Sequence, residues 1–140
     1  MPTIPPQRRL GKDGPLGPAL GFSLAGLSIG YGRPPPDDAR FRILDRAVEL
    51  GATFWDTSDV YGDSEAMLAQ WIERGGNRDS VFLATKGGLV FDYANRTMAV
   101  DSTGEYIRRA CEASLMKLGV DSIDLCMCEM LTSARVFYDS

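Results

Sequence analysis

The sequence predicts an α/β domain built on a parallel sheet, and three observations carry that expectation. Short apolar runs alternate with longer segments of helical period, in the order strand, helix, strand, helix, strand, helix, strand. The connections between them are short, as parallel βαβ units require. The run VFLAT, residues 81–85, is continuously apolar, as expected of a strand covered on both faces.

Taken in order, residues 7–17, QRRLGKDGPLG, place the turn-forming Lys12-Asp13-Gly14 between two short segments and predict a small hairpin ahead of the main fold. Pro18 to Leu24, PALGFSL, reads as the first buried strand. After a loop holding Gly30, Gly32 and Pro34-Pro35-Pro36, Asp37 and Asp38 are placed to cap a helix. Its apolar residues Phe41, Leu44, Ala47 and Val48 recur at helical spacing, and Gly51 stands at its end. Ala52 to Asp56 is the second strand. A second helix starts near Asp63 or Ser64, carries Leu68, Trp71 and Ile72 on one face, and ends before Gly75-Gly76. Val81 to Thr85 is the third strand, closed by Lys86-Gly87-Gly88. A polar loop runs on to Val100. Ser102-Thr103-Gly104-Glu105 then offers a capping box, and Ile107, Ala110, Cys111, Ser114, Leu115 and Leu118 form the buried stripe of a third helix that stops at Gly119. The fourth strand spans Ile123 to about Met127. Neither a repeat, a low-complexity segment nor a linker interrupts this alternation, so one domain is expected.

A chain of 140 residues is long enough to bury about two-thirds of its surface. Its net charge of −4 gives no electrostatic footprint for nucleic acid or an anionic membrane. The N-terminus, MPTIPPQRRLGKDG, has prolines and charges where a signal peptide needs an apolar run, and nothing later approaches a span of ~20 apolar residues. Cys111, Cys126 and Cys128 are an odd number without framework spacing, so they read as thiols of a reducing, cytoplasmic compartment. The chain has no histidine, which excludes a Cys/His metal site, and no metal is expected.

Ligands of parallel α/β folds gather at the carboxyl ends of the strands, which directs attention to FWDTSDVYGDSEAML, residues 54–68, and to Lys86. A phenol with a pKa of about 10 is a weak acid at neutral pH. A neighbouring ammonium such as Lys86 favours the tyrosinate of Tyr61, and a carboxylate such as Asp56 keeps that lysine protonated and oriented. Such a phenol suits polarising a carbonyl oxygen while hydride arrives at carbon from a nicotinamide, because no side chain supplies hydride. Aspartate, tyrosine and lysine are also ordinary solvent-facing residues of βα loops, and spacing alone leaves both readings open. Asp59 reads as a turn former and Asp63 as a helix cap. Trp55 and Trp71 read as core, Cys126-x-Cys128 as incidental thiols, and Gly87-Gly88 as a strand exit.

The residues quoted resemble the N-terminal part of an aldo-keto reductase, from about Arg8 to Leu125. The resemblance is carried by RRLGKDGPLGPALGF, ELGATFWDTSDVYGDSE, VFLATKGG and YIRRACEASLMKLGVDSIDL. The most specific feature is an aspartate followed five residues later by tyrosine and glycine, with ATK after the next strand. It implies that Asp56 orients the lysine, Tyr61 is the general acid and Lys86 tunes it. It implies an NADPH-dependent reduction of aldehyde or ketone carbonyls, with Ser23, Leu24 and Asp56 touching the cofactor. It also implies a (β/α)₈ barrel, of which residues 1–125 would be the N-terminal hairpin and about four βα units, with a divergent tail at 126–140.

Three departures accompany the resemblance. A complete barrel takes about 250 residues, so half the strands and most of the family's contacts to the NADPH phosphates and adenosine have no counterpart here. The family's catalytic histidine after the strand matching SIDL is absent; Glu129 falls near that place by counting. A glutamate there occurs among steroid double-bond reductases of the family, but CMCEMLTSARVFYDS does not resemble it, so a change of frame, splicing or gene end is expected rather than a catalytic Glu129. Finally, Ser23 stands where the family commonly has glycine. An open sheet edge after SIDL invites aggregation, so the chain alone is expected to be either poorly stable or held by a partner that covers that edge. The expectation is therefore a truncated, impaired carbonyl reductase, with a non-catalytic half-barrel scaffold as the alternative. Loop 88–101 would contribute Phe91 and Tyr93 to the mouth and favour an apolar or aromatic ligand.

Overall fold

The computed structural model describes residues 4–75, 77–92, 94–95 and 97–130. Gly76, Tyr93 and the tail beyond Met130, which entered the expectations above, lie outside the described residues. The predicted hairpin is present: β1 (Gln7–Arg9) pairs antiparallel with β2 (Leu16–Pro18), Arg8 opposite Gly17. The main sheet has four strands, β3 (Gly21–Ser23), β4 (Phe54–Asp56), β5 (Phe82–Gly87) and β8 (Leu125–Cys128), all parallel in the spatial order β3-β4-β5-β8. With helices covering one face, this is part of an α/β barrel.

The three helices cover the outer face of that sheet. α1 (Asp37–Glu49) buries Phe41, Leu44 and Ala47; α2 (Ser64–Glu73) buries Met67, Leu68 and Trp71; α3 (Gly104–Leu118) buries Ser114 and Leu118. Trp55, alternating outward between Phe54 and Asp56, is fully buried against the Trp71 ring at 4.9 Å. The Trp71 indole donates to Asp45 Oδ1 at 2.7 Å, tying α2 to α1. Burial of Leu24, Leu44, Leu68 and Leu83 around this pair makes one continuous core. No helix among the described residues is long and apolar enough to cross a membrane.

Four local expectations are corrected. Pro36, not an aspartate, occupies the cap position of α1; Asp37 and Asp38 lie in the first turn, where the helix dipole favours them and Asp37 accepts from Arg40. Thr103, not Ser102, caps α3, its hydroxyl accepting from the Tyr106 amide at 3.3 Å. The first strand is confined to Gly21–Ser23, because Pro18 already belongs to β2. Residues 88–100 hold an antiparallel hairpin, β6 (Leu89–Asp92) with β7 (Thr97–Val100), rather than a polar loop. Its register sets Leu89 opposite Val100 and Phe91 opposite Met98, an apolar pairing that the intervening polar residues hide from a windowed reading.

Candidate active site

Register decides which side chains meet. Asp56 is the last residue of β4 and lies opposite Ala84 of β5; Lys86, two residues on, projects to the same face. The Lys86 ammonium donates to Asp56 Oδ2 at 2.5 Å and to the Thr57 carbonyl at 2.9 Å. It also sits over the Tyr61 ring, 4.4 Å from the centroid. The Lys86 side chain is only 13% exposed. Burial by itself lowers its pKa, but its bond to Asp56, the neighbouring Tyr61 hydroxyl and their charges outweigh burial and hold the ammonium above the ordinary lysine value.

The segment between Asp56 and Tyr61 is fastened at nearly every residue. The Thr57 amide donates to the Ala84 carbonyl at 2.9 Å and its hydroxyl to Ser64 Oγ at 2.8 Å, joining the strand end to the start of α2. The Asp59 amide donates to the Lys86 carbonyl at 3.1 Å, and the Tyr61 amide to the Ser58 carbonyl at 3.1 Å. Gly62, at φ +61°, lets the chain turn directly after Tyr61; a Cβ there would stand 2.8 Å from Ile29 Cγ2. Asp63 occupies the cap position of α2 but makes no side-chain cap bond. Its carboxylate instead accepts from Arg40 Nη1 at 2.9 and 3.0 Å, and although burial raises its pKa, the neighbouring Ser28 hydroxyl and the Arg40 bond hold it below the usual carboxylate range.

Ser23 ends β3 in register with Asp56, exposed on the same face as the Asp56–Lys86 pair. Leu24 turns the other way: its side chain is fully buried in the core and its amide donates to the Asp56 carbonyl at 2.9 Å, leaving backbone alone for a ligand.

Two further residues come to this end of the sheet. Ser58 is 1% exposed, and its hydroxyl reaches Glu129 Oε2 at 2.9 Å and the Lys86 carbonyl at 3.2 Å. Glu129 follows β8, its amide donating to the Gly87 carbonyl at 2.8 Å. Counting alone brought Glu129 near the site; no sequence signal marked Ser58. Asp59 stands beside them with its pKa raised, first by burial and then by the charges of Glu65 and Glu129, against the opposing bond from Ser58. The Cys126 thiol is pushed up to about 12 by burial and by the neighbouring Cys111 thiol, which makes it a poor nucleophile.

The Aldo/keto reductase family model matches residues 19–133. The chain belongs to this family. Among curated family members, aldo-keto reductase str7 of Strobilurus tenacellus is 38% identical over 125 residues, covering 86% of this chain and 35% of that protein. Aldo-keto reductase yakc [NADP(+)] of Schizosaccharomyces pombe is 38% identical over 122 residues, with the same shares of 86% and 35%. Among solved structures, aldo-keto reductase AKR11C1 of Bacillus halodurans in its holo form superposes with a TM-score of 0.74 at 30% identity, over 90% of this chain and 40% of that one. A Pseudomonas aeruginosa protein provisionally assigned to the same family gives 0.76 at 28% identity, over 87% and 46%. The chain thus spans about a third of the length of these curated reductases. The family match also runs past Leu125 into the segment that carries Glu129.

Proposed function

We propose that this chain carries the proton-delivering part of an NADPH-dependent reductase of aldehyde or ketone carbonyls. The observation that carries the reading is the Lys86 ammonium held between the Asp56 carboxylate and the Tyr61 ring. Tyr61 Oη is the proton donor to the substrate oxygen. Lys86, with its raised pKa, stays charged and stabilises the tyrosinate left behind. Asp56, aided by the Thr57 carbonyl, fixes the direction of that ammonium. Membership of the family and the NADP(+) in the name of the fission-yeast relative support the cofactor.

The residues present fit one end of that cofactor. A hydroxyl at Ser23 and a carboxylate at Asp56, adjacent in register and open on the inner face, suit the donor and acceptor groups of a carboxamide. When bound, the nicotinamide supplies hydride. The reading places this chemistry in the cytosol, on a small carbonyl substrate.

Tyr61→Phe keeps the ring under Lys86 and removes the proton. It is expected to abolish carbonyl reduction while NADPH fluorescence still reports binding. Retained turnover overturns the assignment; loss of cofactor binding by the unaltered chain supports the scaffold reading.

A further inference from the structure

We propose that Arg40 is a positioning residue for the proton donor: by gripping Asp63 from α1, it holds the segment that carries Tyr61 and so fixes where the phenol stands under Lys86. This placement rests on the reading of Tyr61 as that donor. Arg40 acts through Asp63 and the backbone, not at the reacting atoms.

Tyr61 is half-buried, so its placement leans on its own backbone, and that backbone is tied on either side. Upstream, the Asp59 amide donates to the Lys86 carbonyl at 3.1 Å and fastens the segment to β5. Downstream, the chain passes Gly62 at φ +61° and reaches Asp63, whose carboxylate accepts from Arg40 Nη1 at 2.9 and 3.0 Å. Glycine restricts its own backbone least of all residues. The direction in which the chain leaves Tyr61 is therefore set by what holds the residue after Gly62.

Arg40 is placed for that task. Its side chain is 8% exposed, an unusual burial for an arginine. Nε donates to Asp37 Oδ1 at 3.1 Å and Nη2 donates to the same oxygen, while Nη1 also reaches the Leu27 carbonyl at 3.3 Å. One guanidinium thus joins the first turn of α1, the short turn Ala25–Leu27 after β3, and Asp63. Stability alone does not call for such an arrangement, because an apolar side chain of similar volume often serves a buried site as well or better. What an apolar side chain lacks is the means to hold a carboxylate in one place.

Asp63 gives the second sign. It stands at the cap position of α2, where an aspartate ordinarily accepts from the helix amides, yet its side chain makes no cap bond. The carboxylate goes to Arg40 instead. Burial lowers the Arg40 pKa and raises that of Asp63, but their mutual attraction, with Asp37 and Ser28 beside them, reverses both shifts.

The test compares Asp63→Ala, Arg40→Leu and the double variant with the unaltered chain, by two readouts. The first needs no turnover: the Tyr61 ring under the ammonium shifts the Lys86 ε-methylene proton resonances upfield, so they report where the ring stands. In each single variant these resonances are expected to move back toward their random-coil position, and in the double variant no further, because both changes break the same link. The second is aldehyde reduction with NADPH, in which kcat is expected to fall about tenfold or more while KM is unchanged, the mark of a misplaced proton donor. Asp63→Ala removes no cap bond, so it is expected to fold and decides the matter if Arg40→Leu does not. Unmoved Lys86 resonances in folded Asp63→Ala overturn the proposal and leave the reading of Tyr61 standing, and additive losses in the double variant overturn it as well. Resonances that move in a chain without turnover even when unaltered overturn that reading instead, and leave the grip of Arg40 on the Tyr61 segment standing.

Discussion

The Lys86 ammonium lies 2.5 Å from Asp56 Oδ2 and, at the same time, 4.4 Å above the centroid of the Tyr61 ring. Two charges of opposite sign and an ionisable phenol thus share one half-buried site at the carboxyl end of two adjacent strands. The contacts of Lys86 with both neighbours give the arrangement consequences that can be measured.

The first concerns pH. Because Lys86 has a pKa raised in the folded chain, its contribution to stability is fully present below the unfolded lysine value of about 10.4 and is lost as pH rises through the higher folded value. Thermal midpoints between neutral and strongly alkaline pH are expected to fall in that upper window. Asp56→Asn removes the first-named attraction and is expected to flatten the fall; an unchanged profile would show that the pair contributes nothing.

Arg40 and Asp63 make the opposite case. The Arg40 side chain is 8% exposed and its bond holds Asp63 below the usual carboxylate range, so this stability is present above about pH 4 and disappears as pH falls through the folded Asp63 value. In Arg40→Leu the Asp63 carboxyl is expected to titrate higher than in the unaltered chain, as carbon-detected NMR of the side chain would register.

The core prediction rests on Trp55, which is fully buried against Trp71 between sheet and α2. Trp55→Ala is expected to cost about 3–5 kcal/mol in denaturant unfolding. A loss below about 1 kcal/mol would mean that the sheet and α2 are not packed as described.

Two glycines with similar backbone angles separate strain from crowding. Gly119 ends α3 at φ +64° with open space around it, and Gly119→Ala is expected to cost about 1 kcal/mol. Gly62, at φ +61°, would add a Cβ 2.8 Å from Ile29, so Gly62→Ala should cost more and also move the adjoining Tyr61. Equal losses for the two would remove the argument that Ile29 crowds the turn.

Much of this was legible in the chain itself. VFLAT reads as a buried strand because no charge breaks it, and Asp56, Tyr61 and Lys86 stand out because they fall at or just past the carboxyl ends of the strands, where ligands of parallel sheets gather. The β6–β7 hairpin was hidden because its apolar pairs, Leu89 with Val100 and Phe91 with Met98, lie in two stretches separated by the polar residues from Asp92 to Thr97, and no single stretch displays them. The α3 cap slipped by one residue because Ser102 and Thr103 both carry the hydroxyl a cap needs. Ser58 escaped notice because its partners, the Lys86 carbonyl and Glu129, are distant in sequence and meet only when β4, β5 and β8 align.

The central claim is that Lys86 activates Tyr61 for proton delivery to a carbonyl, and the most direct measurement is the rate of NADPH consumption with an aldehyde substrate by the unaltered chain and by Lys86→Met. The account predicts measurable turnover in the first and a loss of about 10²-fold or more in the second, the scale of a general acid deprived of its tuning group. Equal rates in the two chains would contradict it.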